Sequence, residues 1–79
     1  MSSHTPHELL EEFPEHAARI SQLKQSDAHF ARLAEEYHTV NRAVHRAETN
    51  VEPMDNLAEG EMRKKRGALK DEIYRLLSA

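Results

Sequence analysis

Several residue types that stabilise or organise small proteins are scarce or absent in this sequence. The chain of 79 residues contains no cysteine, so it forms neither disulfides nor thiolate metal sites. It has no tryptophan, two phenylalanines, two tyrosines, two glycines and three prolines. This composition is typical of long, solvated helices around a thin core.

Long hydrophobic runs are also absent. No stretch approaches the roughly 18 consecutive apolar residues that a membrane-spanning helix needs. The first residues lack a basic region followed by an apolar one, so we expect no signal peptide. The sequence therefore predicts a soluble, cytoplasmic protein without membrane attachment.

Charged residues are plentiful but unevenly distributed. They make up 32% of the chain, and the net charge is −3. The charges of the first eighteen residues are all acidic, whereas residues 63–66 form a run of four basic side chains. The negative net charge gives no general attraction to nucleic acid or anionic lipid.

A chain this short buries only about 60% of the surface that its unfolded state exposes, so small proteins often rely on a partner subunit for stability.

The strongest pattern lies between residues 30 and 51, where apolar residues recur at alternating intervals of three and four. This is the a/d repeat of a helix with one narrow apolar stripe, which we call the seam. With Ser26 as its N-cap, the helix is predicted over residues 27–48. The seam comprises Phe30, Leu33, Tyr37, Val40, Val44, Ala47 and Val51.

A second long helix is predicted over residues 56–77, capped by Asp55. A turn at residues 49–55, which contains Pro53, joins the two helices into an antiparallel, coiled-coil-like hairpin. We expect the second helix to pack on the seam through Met62, Leu69, Ile73 and Leu76.

The preceding segment, residues 5–24, is predicted to be a short helical region interrupted by proline. Thr5, Pro6 and Glu8 fit a capping box at its start, and Pro14 should end or bend the helix. A hairpin leaves part of its apolar surface open, so either this segment covers it or two chains pair. The sequence favours neither, and the predicted fold is one all-α domain.

Two glycines are unusual inside the second long helix. Gly60 and Gly67 lie seven residues apart and therefore fall on nearly one face. Either another helix approaches closely there, or the helix tolerates a cost of about 0.8–1 kcal/mol for each glycine.

Four blocks of sequence carry a resemblance to a known family. They are Phe13-Pro14-Glu15, Ile20-Ser21-Gln22-Leu23-Lys24, Phe30-Ala31-Arg32-Leu33 and Leu69-Lys70-Asp71-Glu72-Ile73. In this order and spacing they resemble the YdcH-like family of small bacterial proteins, which has no established function. The resemblance extends over residues 13–77 and implies a short helical hairpin in a cytoplasmic bacterial protein, with no assigned catalytic residue. The family usually has a leucine where this chain has Gly67, so the hairpin is expected to pack less tightly at that level than in the family.

The histidines do not have the spacing of a metal site. A helical site needs ligands three or four residues apart on one face. His4 and His7 straddle the predicted helix start, and His38 and His45 are two turns, or about 10.5 Å, apart. We therefore expect solvated or interface histidines at all six positions, His4, His7, His16, His29, His38 and His45.

A basic stripe on the second long helix suggests one possible function. Arg63, Arg66 and Lys70 recur at intervals of three and four. Acidic residues follow the stripe directly, and no aromatic residue interleaves it for base stacking. A small nucleic-acid-associated regulator is therefore the alternative hypothesis.

Catalysis is not expected. The sequence has no glycine-rich phosphate loop and no carboxylate pair in an apolar setting, and a hairpin is expected to lack a concave pocket. We predict no catalytic, cofactor-binding or metal-binding residue and no small-molecule substrate. The leading hypothesis is a non-catalytic interaction module that self-associates or binds a protein partner through its seam.

Overall fold

A computed structural model describes residues 5–49 and 54–79. The described residues form helices and no β-strand. Val51 and Pro53 of the predicted turn lie outside these ranges. The helices are α1 (Leu9–Glu12), a 3-10 turn (Pro14–His16), α2 (Ala17–Ser26), α3 (Ala28–Glu48) and α4 (Asn56–Ser78).

The two long helices, α3 and α4, pack against each other as an antiparallel hairpin, which confirms the predicted architecture. Their direction follows from paired side chains along the hairpin. Glu48 near the end of α3 contacts Arg63 in the first half of α4. His29 at the start of α3 contacts Glu72 near the end of α4.

Aspartate caps begin both long helices. The carboxylate of Asp55 accepts a hydrogen bond from the backbone N–H of Ala58 at 2.8 Å, as predicted for α4. The cap of α3 is Asp27, which accepts from the N–H groups of His29 and Phe30. The assignment of this cap to Ser26 was therefore wrong by one residue. The Ser26 hydroxyl donates to the carbonyl of Gln22, within the last turn of α2.

Residues 5–26, which we call the N-terminal segment, begin their first helix later than predicted. The capping box at Thr5 does not form, and α1 starts at Leu9 after an extended Glu8 with no side-chain cap bond. The reason is that the Glu8 carboxylate contacts α3 instead of its own backbone. The predicted break before Pro14 is present, since Phe13 is non-helical and Pro14 opens the 3-10 turn.

The N-terminal segment covers the hairpin and supplies part of its core. Leu9, Phe13 and Ile20 are buried together with the side chains of α3 and α4. Full burial of a large apolar side chain stabilises a fold by about 1.5–3 kcal/mol. These three residues therefore hold the segment firmly in place. In the single chain, the N-terminal segment covers the hairpin, which is one of the two arrangements left open by the sequence.

Most residues of the predicted seam are buried. On α3 they are Phe30, Leu33, Tyr37, Val40, Val44 and Ala47. On α4, Leu69 and Ile73 are buried, whereas Met62 and Leu76 are half-buried at the edge of the core. Leu77, rather than Leu76, occupies the last buried position of this helix.

Candidate interaction site

One polar side chain is completely buried where the N-terminal segment meets the hairpin. Asn41 of α3 has an exposed fraction of 0%. Its amide nitrogen donates to the carbonyl of Pro6 at 2.8 Å and to the Glu8 carboxylate at 2.7 Å. Its amide oxygen accepts a hydrogen bond from the Arg66 guanidinium of α4 at 3.0 Å. One amide on α3 thus contacts both the N-terminal segment and α4.

A second buried donor lies one turn earlier on α3. The Tyr37 hydroxyl, on a side chain that is 1% exposed, donates to the carbonyl of His7 at 2.5 Å. Burial raises the pKa of Tyr37 to about 12, with the nearby Glu12 carboxylate acting in the same direction. The hydroxyl is therefore protonated at neutral pH and acts as a donor. His7 itself has φ of 64°, a left-handed conformation that the two bonded carbonyls, its own and that of Pro6, help to hold.

An ion pair closes the outer side of this contact region. The Lys70 ammonium of α4 binds the Glu12 carboxylate of α1, and the hydrogen bond from Lys70 lowers the pKa of Glu12. The ammonium also lies 5.8 Å from the centre of the Phe13 ring. The Phe13 ring stacks on Tyr74 with centroids 5.5 Å apart. These contacts tie α1 to the second half of α4.

We call this set of polar contacts the latch. It joins the N-terminal segment to the hairpin through hydrogen bonds at a buried centre and through charged pairs at the rim. Its members are Pro6, His7, Glu8 and Glu12 on the segment, and Tyr37, His38, Asn41 and Lys70 on the hairpin.

All three cations of the predicted basic stripe contact other side chains of the chain. Arg63 pairs with Glu48 and Glu59. Arg66 and Lys70 are half-buried and donate to the latch residues described above. A protein that tracks nucleic acid needs cations that are free to contact phosphates. The structure instead uses the stripe in its internal contacts.

Several histidines of the described chain face single carboxylates or aromatic rings. The imidazole of His29 contacts Glu72, and His38 contacts Glu8. His16 lies edge-on to Tyr74, with ring centroids 6.3 Å apart. Within residues 5–49 and 54–79, no group of three or more histidine or acidic side chains is arranged to hold a metal ion. His4 lies outside these ranges.

Two open grooves lie along α3, although a hairpin was expected to lack a concave pocket. A groove of about 560 Å³ runs between α1, α2 and α3, with Leu10 and Ala34 among its apolar lining residues and Lys24 and Glu35 among its charged ones. A second groove of similar volume lies over the outer face of α3, beside Lys65.

Asn41 was missed at the sequence level, although a signal for it exists. The seam was defined by alternating a and d positions, and Asn41 lies directly after the seam residue Val40. Ala34, seven residues earlier, has the same relation to Leu33 and is also buried. Two inward positions beside the seam indicate that the apolar stripe of α3 is wide enough to pack against two other parts of the chain. A lone asparagine in the wider stripe then predicts a specific polar contact.

The fold and the latch define a class of protein: a small all-α protein in which a helical hairpin is closed by a segment of its own chain. The family model DUF465, protein of unknown function, matches residues 30–77, and the chain belongs to this family, which includes the YdcH proteins. Searches of curated proteins and of solved structures found no match. None of the described helices is long and apolar enough to cross a membrane.

The matched range has a simple structural meaning. It begins at Phe30 and ends at Leu77, so it contains nearly all of the hairpin and none of the N-terminal segment. The latch crosses this boundary. Its donors Tyr37, Asn41 and Lys70 lie inside the matched range, and their acceptors on the segment lie outside it.

Proposed function

We propose that the protein is a small, non-catalytic interaction module that works by self-association. The observation that carries the proposal is the latch. The hairpin presents a face on which directed donors lie beside buried apolar side chains, and in the single chain this face binds the chain's own N-terminal segment. A buried centre with direct hydrogen bonds and a polar, charged rim is also found where two proteins meet.

The buried amide of Asn41 supports a recognition role more strongly than a purely structural one. An apolar side chain at this position would avoid the desolvation of a polar group. A single polar residue in a helical seam selects register and partner at some expense of stability. In this chain, only a segment that offers acceptors at the positions of Pro6 and Glu8 satisfies the amide.

Exposed apolar side chains give weaker support for the same function. Leu57 on α4 is 77% exposed, and Leu10 at the groove beside α1 is 54% exposed. Single exposed leucines are common on protein surfaces and do not define an interface. The latch is a better candidate because several groups of different chemistry converge there.

Light scattering over a concentration series tests this proposal, with far-UV circular dichroism recorded in parallel. We expect a molar mass that rises from the 9.1 kDa of one chain towards twice that value as concentration increases. A mass that stays at 9.1 kDa up to the highest attainable concentration would contradict self-association.

A further inference from the structure

The connection between α2 and α3 consists of one residue. Helix α2 ends at Ser26, α3 begins at Ala28, and Asp27 between them is extended, with φ of −131° and ψ of 105°. The change of direction that folds the N-terminal segment back onto the hairpin therefore depends on the dihedral angles of a single residue.

A helical Asp27 would join α2 and α3 into one continuous helix over residues 17–48. A helix of about 32 residues is about 48 Å long. In that conformation α1 would lie far beyond the start of α3. Glu12 could not then contact Lys70 of its own chain, since the two residues meet only because the segment turns back at Asp27.

The extended conformation leaves two complementary surfaces without partners. The segment exposes Leu9, Phe13 and Ile20, and the hairpin loses the acceptors of Asn41 and Tyr37. A partner restores these contacts only if it offers the same apolar residues together with acceptors at the same spacing. The N-terminal segment of a second copy of this chain meets both conditions.

We propose that two copies of the chain exchange their N-terminal segments, with Asp27 as the hinge. The inference rests on the proposed self-association and names its interface. Each segment makes the latch contacts on the hairpin of the other copy, so the exchanged dimer keeps every contact between segment and hairpin that the single chain has. Only the hinge differs between the two forms.

Asp27→Ala tests the hinge, and Asp55→Ala is its matched control. In the single chain Asp27 caps α3, and that cap is not needed once α2 and α3 are continuous. Loss of an N-cap corresponds to about a fivefold change in an equilibrium constant. The substitution destabilises each of the two single chains but not the exchanged dimer, so we expect the dimer dissociation constant to fall about 25-fold in Asp27→Ala.

Asp55→Ala is the control. Asp55 caps α4 in either form, so this substitution should leave the dissociation constant unchanged. Equal effects of the two substitutions would overturn the assignment of the hinge.

Charge complementation tests the exchange itself. Glu12→Lys and Lys70→Glu each place like charges at the rim of the latch. In an exchanged dimer that contains one copy of each variant, the two substituted side chains meet at one latch and the two native side chains meet at the other. Opposite charges therefore face each other at both latches of this heterodimer. Native mass spectrometry of an equimolar mixture, with one variant isotopically labelled, should then show heterodimer in clear excess over the statistical one half.

A second pair of variants controls for non-specific charge effects. Glu59 and Arg63 pair within α4, so exchange cannot restore this pair in a mixture of Glu59→Arg and Arg63→Glu. This mixture should stay at the statistical proportion. If the Glu12→Lys and Lys70→Glu mixture also stays there while dimers form, self-association stands and exchange is overturned. If wild type and all variants remain single chains, both proposals fail.

Discussion

Arg66 and Asn41 contact each other across the hairpin, with the guanidinium Nη1 donating to the amide Oδ1 at 3.0 Å. This bond uses the acceptor side of the amide and leaves its nitrogen free to donate to the N-terminal segment. The orientation of the amide is therefore fixed from α4. Arg66 of α4 and the N-terminal segment therefore bind opposite sides of one amide group.

Removal of the Asn41 side chain should destabilise the protein. Asn41→Ala removes the three hydrogen bonds of the buried amide, to Pro6, Glu8 and Arg66, and each such bond contributes about 0.5–1.5 kcal/mol. We expect the free energy of unfolding, measured in urea, to fall by about 2–3 kcal/mol. Thr39→Ala, at an exposed position of the same helix, should change it by less than about 0.5 kcal/mol. A similar decrease in the free energy of unfolding for the two variants would show that the hydrogen bonds of the Asn41 amide do not stabilise the fold.

The phenol of Tyr37 should ionise only at strongly alkaline pH. In Tyr74→Phe it is the sole tyrosine of the chain, so phenolate absorbance reports on it alone. We expect a midpoint near pH 12 in the folded protein, because burial raises the pKa of Tyr37 to about 12. The midpoint should be about 10 in concentrated urea. The folded pKa lies above the unfolded one, so the contribution of Tyr37 to stability is complete below about pH 10 and disappears as pH rises towards 12. A titration midpoint of about pH 10 for Tyr37 in the folded protein would be inconsistent with its buried hydrogen bond to His7.

The Glu12–Lys70 pair should make stability depend on acid pH. The hydrogen bond from Lys70 lowers the pKa of Glu12 below its usual value of 4.5, so its contribution to stability is present above about pH 4.5. That contribution is lost as pH falls through the lower, folded pKa. At neutral pH, Glu12→Gln should cost about 0.5–1 kcal/mol in urea unfolding, as expected for a partly exposed pair. The difference from wild type should shrink towards zero at the acid end of a pH series. A difference that does not depend on pH would assign the loss to packing rather than to charge.

Replacement of Gly67 by alanine should stabilise the protein. Gly67 lies inside α4, and a Cβ built there meets no atom within 4 Å. The close approach of another helix, considered for this position, is therefore not made within the described chain. We expect Gly67→Ala to add about 0.8–1 kcal/mol to the free energy of unfolding, and Gly60→Ala to behave alike. A decrease in stability that appears only at high protein concentration would instead indicate that a second chain packs on this face.

The hairpin was predictable because its determinants are local. The alternating intervals along α3, the Asp55 cap and the break before Pro14 each depend on residues within one or two turns of each other. The seam was underestimated only in width, since the inward positions of Ala34 and Asn41 fall outside a strict a/d pattern.

The latch was not predictable in the same way. Its hydrogen bonds join residues between 30 and 58 positions apart in sequence, so no short pattern contains both partners. Glu8 shows the consequence most clearly. Its position three residues after Thr5 matches a capping box, yet its carboxylate binds Asn41 and His38. A tertiary contact here displaced a local one of similar chemistry.

The long separation of the latch partners has a consequence during protein synthesis. Glu12 precedes Lys70 by 58 residues. At a synthesis rate of about 5–20 residues per second, Glu12 is made roughly 3–12 s before its partner. Throughout this interval Leu9, Phe13 and Ile20 have no complete hairpin of their own to cover. A growing chain therefore cannot close its own latch until its synthesis is nearly complete.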